Sequence, residues 1–333
     1  MAYKPNMEDI KKLRAMTGAG LADVKKALTE AEGDFEKAKD LLRERGLAIA
    51  AKRSDRETSN GCVLVKIENG FAAIIALKCE TDFVANGADF IALTQAILDA
   101  AVANKCQTLD EVKELTLPDG QKVADAVTQR SGITGEKMEL DGYNVLEGEN
   151  IYSYNHQKKN MLCTLVQLNK DYETQGHALT MQVAAMNPVA LDEASVPQEV
   201  KDNELQVAIQ KTKMEQVEKY VEVVLKKAGI NPNLVDSEDH INSNIAKGWL
   251  TEEDAEKARK IKVEAAAEKA ANLPEQMIQN IAKGRLAKFF KERCLVNQEF
   301  TMSENKETVA EYLRTADKEL KVVAFKRFTL RAE

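Results

Sequence analysis

The chain is 333 residues long, enough for two or three domains with a sizeable buried core. Lysine and arginine total 47 against 54 acids, a formal net charge of −7, which argues against a bulk electrostatic grip on nucleic acid or an anionic membrane. The longest apolar run, Phe71 to Leu77, falls far short of the roughly 20 residues needed to span a bilayer, the opening residues lack the basic-then-apolar pattern of a signal peptide, so none is expected, and five scattered cysteines without a C-x-x-C pair fit reduced thiols in a cytoplasm.

The first 46 residues predict three short helices. Asn6 caps a helix carrying Ile10, Leu13 and Met16; Thr17-Gly18-Ala19-Gly20 breaks it; Leu21, Val24, Ala27 and Leu28 form the next stripe, which Gly33 stops. Asp34 caps a third helix with Phe35, Ala38, Leu41 and Leu42 inward. The 12 basic and 10 acidic residues up to Asp55 are too balanced for a nucleic-acid arm. Lys52 to Gly61, without one apolar residue, reads as a linker.

Next, "VLVKIENGFAAIIALKC" alternates on both sides of Asn69-Gly70, the strongest short-range hairpin signal because both turn residues must take positive φ. A helix follows with Phe90, Leu93, Ile97 and Ala101 at helical spacing. Between strand and helix lies "CETDFVAN". Phe83 precedes Phe90 by seven residues, which would place both on one face of a continuous helix, whereas Asn86-Gly87 is a turn signal and Thr81 a cap that would isolate Asp82-Phe83 on a single turn. The pattern recurs with Ile151 to Asn155, a polar turn, an alternating Met161 to Leu168, and a helix from about Gln175 to Pro188, a weak internal duplication of one hairpin-plus-helix unit. Two related half-domains would pack as α+β layers.

From Val200 to about Ala271 the composition shifts to helix formers. Leu205, Ile209, Met214, Val217, Val221 and Val224 set a loose stripe, Gly229 to Pro232 breaks it, and an alanine-rich helix returns from about Glu252, which predicts a projecting helical hairpin. A further helix, Pro274 to Lys291, leads back. "TVAEYLRTAD" then "ELKVVAFKRFTL" read as helix then strand, the strand joining the second half-domain's sheet.

Enzyme chemistry finds little support. Gly-Lys never occurs, so the phosphate-cradling G-x-x-x-x-G-K-[ST] loop is excluded, and no G-x-G-x-x-G is present. His156, His177 and His240 lack metal-ligand spacing. No cofactor is expected. The basic stretch Lys283, Arg285, Lys288, Lys291 and Arg293 reads as a solvated helix face, and Trp249 as packing.

Two stretches, "LRAMTGAGLADVKKAL" (13–28) and "CETDFVAN" (79–86), resemble the paired motifs of the bacterial elongation factor Ts family, guanine nucleotide exchange factors of elongation factor Tu. Their order, the intervening "AIAAKRSDRETSNG", and the later "SYNH" and "MQVAAMNP" follow that family. The resemblance implies an α+β architecture with a three-helix, ubiquitin-associated-like module and linker at 1–55, core subdomains at 56–140 and at 141–205 with 273–333, and a coiled-coil protrusion at 206–272. It also implies that elongation factor Tu is the partner, that Thr81, Asp82, Phe83 and Val84 disturb the magnesium site of its G domain, and that Gly18, Ala19, Gly20, Leu21 and Ala22 grip another part. His156 is a further contact by the same resemblance. Neither direct nucleotide binding, nor nucleic acid, nor membrane enters that reading.

Similar proteins carry Glu and Asn where this chain has Ala76 and Lys78, a larger residue at Ala22, and, in shorter members, nothing matching about 211–272. The chain stops at Glu333 just after its last strand, so the C-terminal helix of some members is expected to be absent. The rival function is a non-catalytic adaptor that joins proteins through the N-terminal module and the protrusion.

Overall fold

A computed structural model describes residues 3–331. The chain forms two compact units, residues 1–188 with 299–333 and residues 189–298. The mixed helical and antiparallel-sheet architecture is the expected α+β class.

The first unit opens with three helices. In α1 (Met7–Thr17) the Asn6 side chain accepts the Asp9 N–H, and α2 (Leu21–Glu30) follows. In α3 (Phe35–Ala51) the Asp34 carboxylate accepts the Glu36 and Lys37 N–H groups. Ile10, Leu13, Val24, Ala27, Leu28 and Ala38 make the core. Two expected core positions lie outside it: Met16 is 52% exposed and Leu21 49% exposed. Ala19, on the loop between α1 and α2, is buried instead.

Strands β1 (Asn60–Glu68) and β2 (Phe71–Cys79) form the expected hairpin, with φ of 49° at Asn69 and 73° at Gly70. One helical turn, α4 (Asp82–Ala85), then α5 (Ala88–Ala103), α6 (Leu109–Glu114) and α7 (Val123–Thr134) follow. A strand the sequence pattern did not reveal, β3 (Met138–Glu147), returns to pair with β2 in the order β1-β2-β3. The pattern is hidden because the register jumps from Ile75↔Tyr143 to Leu77↔Leu140: Asp141 and Gly142 together face Ala76, and this bulge breaks the two-residue period.

The second sheet repeats the plan. Strands β4 (Ile151–Asn155) and β5 (Leu162–Leu168) form a hairpin, and α8 (Glu173–Met186) follows. The chain next forms the second unit, which contributes α9 (Gln198–Lys227), α10 (Glu238–Ala246), α11 (Glu252–Ala271) and α12 (Glu275–Arg293). It re-enters the first unit with α13 (Val309–Ala316) and β6 (Val322–Thr329), and β6 pairs with β5 as expected.

Alternate residues of β2 serve two cores. Phe71, Ala73, Ile75, Leu77 and Cys79 face a cluster containing Phe90, Ile97 and Leu98 of α5, while Ala72, Ile74 and Ala76 face Cys163 and Leu165 of β5. The sheets therefore pack on one another, with helices on both outer sides. That double burial explains why residues 71–77 are continuously apolar rather than alternating. Small residues make room between the sheets: a Cβ on Gly142 would lie 2.4 Å from the Phe328 ring and 2.8 Å from the Ala76 Cβ. Ala76 is thus an interior spacer, and Lys78 pairs with Asp141 at 2.5 Å.

Within the second unit α9 is a spine. Ala208 and Ile209 pack on Ile278 and Ala282 of α12, and Leu225 packs with Ile230, Val235, Ile241, Leu250, Ala255 and Ala258 around α10 and α11. Helix α10 was absent from the sequence reading. Met214 is 64% exposed, and Thr212, whose hydroxyl donates to the Ala208 carbonyl at 2.7 Å, occupies the buried position instead. Trp249 is not packing: it is 65% exposed under the Lys247 ammonium, 5.1 Å from the ring centroid. Arg285 bonds to Glu215 on α9, while Lys283, Lys288 and Lys291 are exposed.

Candidate functional site: an exposed aromatic on a clasped turn

Cys79 ends β2 fully buried, and three residues later the backbone enters a helix of only four residues. Thr81 sits at φ −120°, ψ 156°, and its hydroxyl accepts the Val84 N–H at 3.4 Å. At the other end the Asn86 N–H caps Asp82 and Val84, the Asn86 side chain donates to the Asp82 carbonyl at 2.9 Å, and Gly87 opens α5. Val84 and Ala85 face the core while Asp82 and Phe83 face solvent. Phe83 is 88% exposed, whereas Phe90 is one of the largest fully buried side chains. The turn therefore separates the two phenylalanines that a continuous helix would have put on one face. Leaving a phenylalanine in water forgoes about 1.5–3 kcal/mol of burial, so stability does not explain its position.

Two carboxylates hold the turn from below. Glu136 accepts the Glu80 N–H at 3.2 Å, the Thr81 N–H at 3.0 Å and the Thr81 hydroxyl at 2.6 Å. Glu80 in return accepts the Lys137 N–H at 2.6 Å. The Glu80 carboxylate also pairs with Arg56 at 2.9 Å and Arg53 at 3.7 Å, so the segment following α3 is tied to the turn rather than free. The Lys137 N–H first, and then the two guanidiniums, hold the Glu80 carboxyl below the usual carboxylate range. No spacing signal in the sequence pointed to Glu80 or Glu136.

The N-terminal candidates lie on the α1–α2 loop. Gly18 is left-handed at φ 69° and its N–H caps the Arg14 carbonyl; Gly20 begins α2; Ala19 points into the module's core, leaving Gly18, Gly20, Leu21 and Ala22 at the surface. Leu47 on α3 is a further exposed apolar side chain of the module that the sequence reading passed over. His156 starts a tight turn after β4, half-buried, with its Nδ1 3.1 Å from the Tyr154 hydroxyl. Among the described residues no group of three or more His, Cys, Asp or Glu converges to hold a metal ion, and no helix is long and apolar enough to cross a membrane.

The sequence profile of the family described as Elongation factor TS matches residues 80–228 and 222–332, beginning at the head of the clasped turn. Elongation factor Ts of Phocaeicola vulgatus is 65% identical over 327 residues, covering 98% of this chain and 99% of its own. The chain belongs to the elongation factor Ts family. A Bacteroides fragilis member is 66% identical over 328 residues, and one from Porphyromonas gingivalis is 42% identical over 328 residues, each spanning 98% of this chain. These family alignments take in the N-terminal module, which lies ahead of the profile match, and run through 211–272, so that segment is shared with these members. Family membership makes the chain a translation elongation factor.

Proposed function

We propose that the protein is a guanine nucleotide exchange factor that binds the GDP form of elongation factor Tu, places Asp82 and Phe83 beside its magnesium and phosphate site, and speeds GDP release so that GTP rebinds. Thr81 and Val84 build the turn, the surface of the Gly18–Ala22 loop grips a second part of the G domain, and His156 adds a contact elsewhere. The chain itself holds no nucleotide and performs no covalent step, and it acts in the cytoplasm.

The observation that carries this reading is Phe83, an aromatic kept in water on a turn whose other apolar residues are anchored in the core. Magnesium demands near-ideal octahedral geometry at about 2.0–2.1 Å. A wedge that shifts the loops around it by a fraction of that distance loosens the diphosphate without breaking any bond. A factor that binds the opened G domain better than the closed one must, by linkage, weaken nucleotide as much as nucleotide weakens the factor.

Phe83→Ala tests the proposal. Because the side chain is exposed, melting is expected to stay within about 0.5 kcal/mol of wild type. Stopped-flow release of a fluorescent GDP from elongation factor Tu should slow by a factor of 30 or so, the equivalent of the roughly 2 kcal/mol of a buried aromatic hot spot. An unchanged release rate refutes the wedge, and stoichiometric binding by the wild-type protein without any acceleration favours the adaptor.

A further inference from the structure

We propose that Glu136 is the positioning residue of the exchange site: its carboxylate, rather than the sequence of the turn itself, fixes the direction in which Asp82 and Phe83 are presented. The proposal rests on the reading that this turn is what the partner meets. A four-residue helix does not hold itself, since nucleating one turn is unfavourable in isolation. Its internal N-terminal cap is a single long bond of 3.4 Å from Val84 to the Thr81 hydroxyl. The Thr81 carbonyl accepts the Ala85 N–H at 3.2 Å, and the two shortest bonds at that end go to Glu136, at 2.6 Å from the Thr81 hydroxyl and 3.0 Å from the Thr81 N–H.

The Thr81 hydroxyl is thereby a relay. It donates to Glu136 and accepts from Val84, so the orientation of the carboxylate sets the orientation of the third helical amide. Bonds in which one partner is charged are shorter and about twice as strong as neutral ones.

Glu136 is itself held at both backbone ends. The Ser131 hydroxyl donates to its carbonyl at 2.5 Å, and the Thr134 hydroxyl accepts its N–H at 3.3 Å. Both hydroxyls belong to α7, which left-handed Gly135 terminates at φ 72°. Three residues before Gly135, Gly132 lies against Gly46 of α3. One helix end therefore carries the packing contact to the N-terminal module and, four residues on, the clasp on the turn. The residues on either side of the proposed contacts share one foundation.

Three variants test the role by GDP release from elongation factor Tu at saturating factor, with binding measured separately. Glu136→Ala is expected to lower the maximal rate on the order of tenfold, the loss that follows from removing a charged acceptor. Glu136→Gln, which keeps an acceptor for the two amides and offers an N–H to the Thr81 oxygen, should recover most of the rate. Thr81→Val removes only the hydroxyl relay, and its loss should run parallel to that of Glu136→Ala. Decisively, Glu136→Ala added to Phe83→Ala should cost far less than it does alone, because only Asp82 is then left to be positioned. A wild-type maximal rate for Glu136→Ala, or an equal loss in the Phe83→Ala background, overturns the proposal. A Phe83→Ala protein as fast as wild type would instead remove the reading beneath it.

Discussion

The packing of the N-terminal module on the core makes a sharp prediction at a pair of glycines. Gly46 lies inside α3 and Gly132 inside α7, and the two helices meet there backbone to backbone. A Cβ built on Gly132 would lie 2.3 Å from the Gly46 Cα, 3.1 Å from its carbonyl carbon and 3.2 Å from its oxygen, main-chain atoms that no rotamer change can move. A Cβ on Gly46 would meet its nearest neighbour, the Gly132 Cα, at an ordinary 3.6 Å. Carbon atoms pack at about 3.5–4.0 Å, so Gly132→Ala must part the helices by more than 1 Å or so. Replacing glycine by alanine inside a helix gains roughly 0.5–1 kcal/mol in both cases, while overpacking of the kind expected only at 132 costs about 1–3 kcal/mol. The substitutions should therefore differ in sign: Gly46→Ala is neutral to stabilising, and Gly132→Ala is destabilising by about 1 kcal/mol net. Urea denaturation of the two proteins, followed by a probe in the module and by far-ultraviolet circular dichroism, measures the gap. A Gly132→Ala protein as stable as Gly46→Ala would refute the close crossing.

Two further outcomes follow from ionisable groups. Glu80 titrates below the usual carboxylate value in the folded state, so its stabilising contribution is present above that value and disappears as the pH falls through the lowered one. The stability difference between wild type and Glu80→Gln should thus be constant near neutrality and shrink below about pH 4; a difference independent of pH removes this assignment. Burial raises the Cys62 thiol to about 11 and the Cys79 and Cys163 thiols to about 12. With folded values above unfolded ones, these groups contribute stability that is present below the unfolded value near pH 9 and lost as the pH rises through 11 to 12. At pH 8 or so a thiol reagent should leave all five cysteines untouched in the native protein and modify all five in denaturant, and one rapidly labelled thiol in the native protein would count against the packing around it.

Features set by neighbouring residues were legible in the sequence. The Asn69-Gly70 turn, the caps at Asn6, Asp34 and Thr81, and the break at Asn86-Gly87 each need only the chemistry of a few adjacent residues, and each is where it was expected. Phe83 stood between two readings, since a seven-residue spacing and a turn signal disagreed, and the turn prevails. What escaped depends on distant partners. Strand β3 loses its period at the bulge opposite Ala76. Met16, Leu21 and Met214 fit a helical stripe, yet the width of the buried face is decided by what packs on it. Glu136 is one acid among 54 until the fold brings it to Thr81. The α+β class survived these misses because it needs only the kinds of elements and their order.

The two-faced strand β2 also bears on how the molecule is made. Ribosomes deliver the chain from its N-terminus, so residues 71–79 emerge early, whereas the surface facing the second sheet is completed by Ala324, Phe328 and Leu330 from the last described segment. Until those residues appear, one side of an apolar, β-forming segment is covered only in part, by Cys163 and Leu165 of β5, a condition that invites association between nascent chains. Its first face is closed much sooner by α5. The alanines at 72 and 76, which give the sheets their close approach, also limit the sticky area that waits in the open.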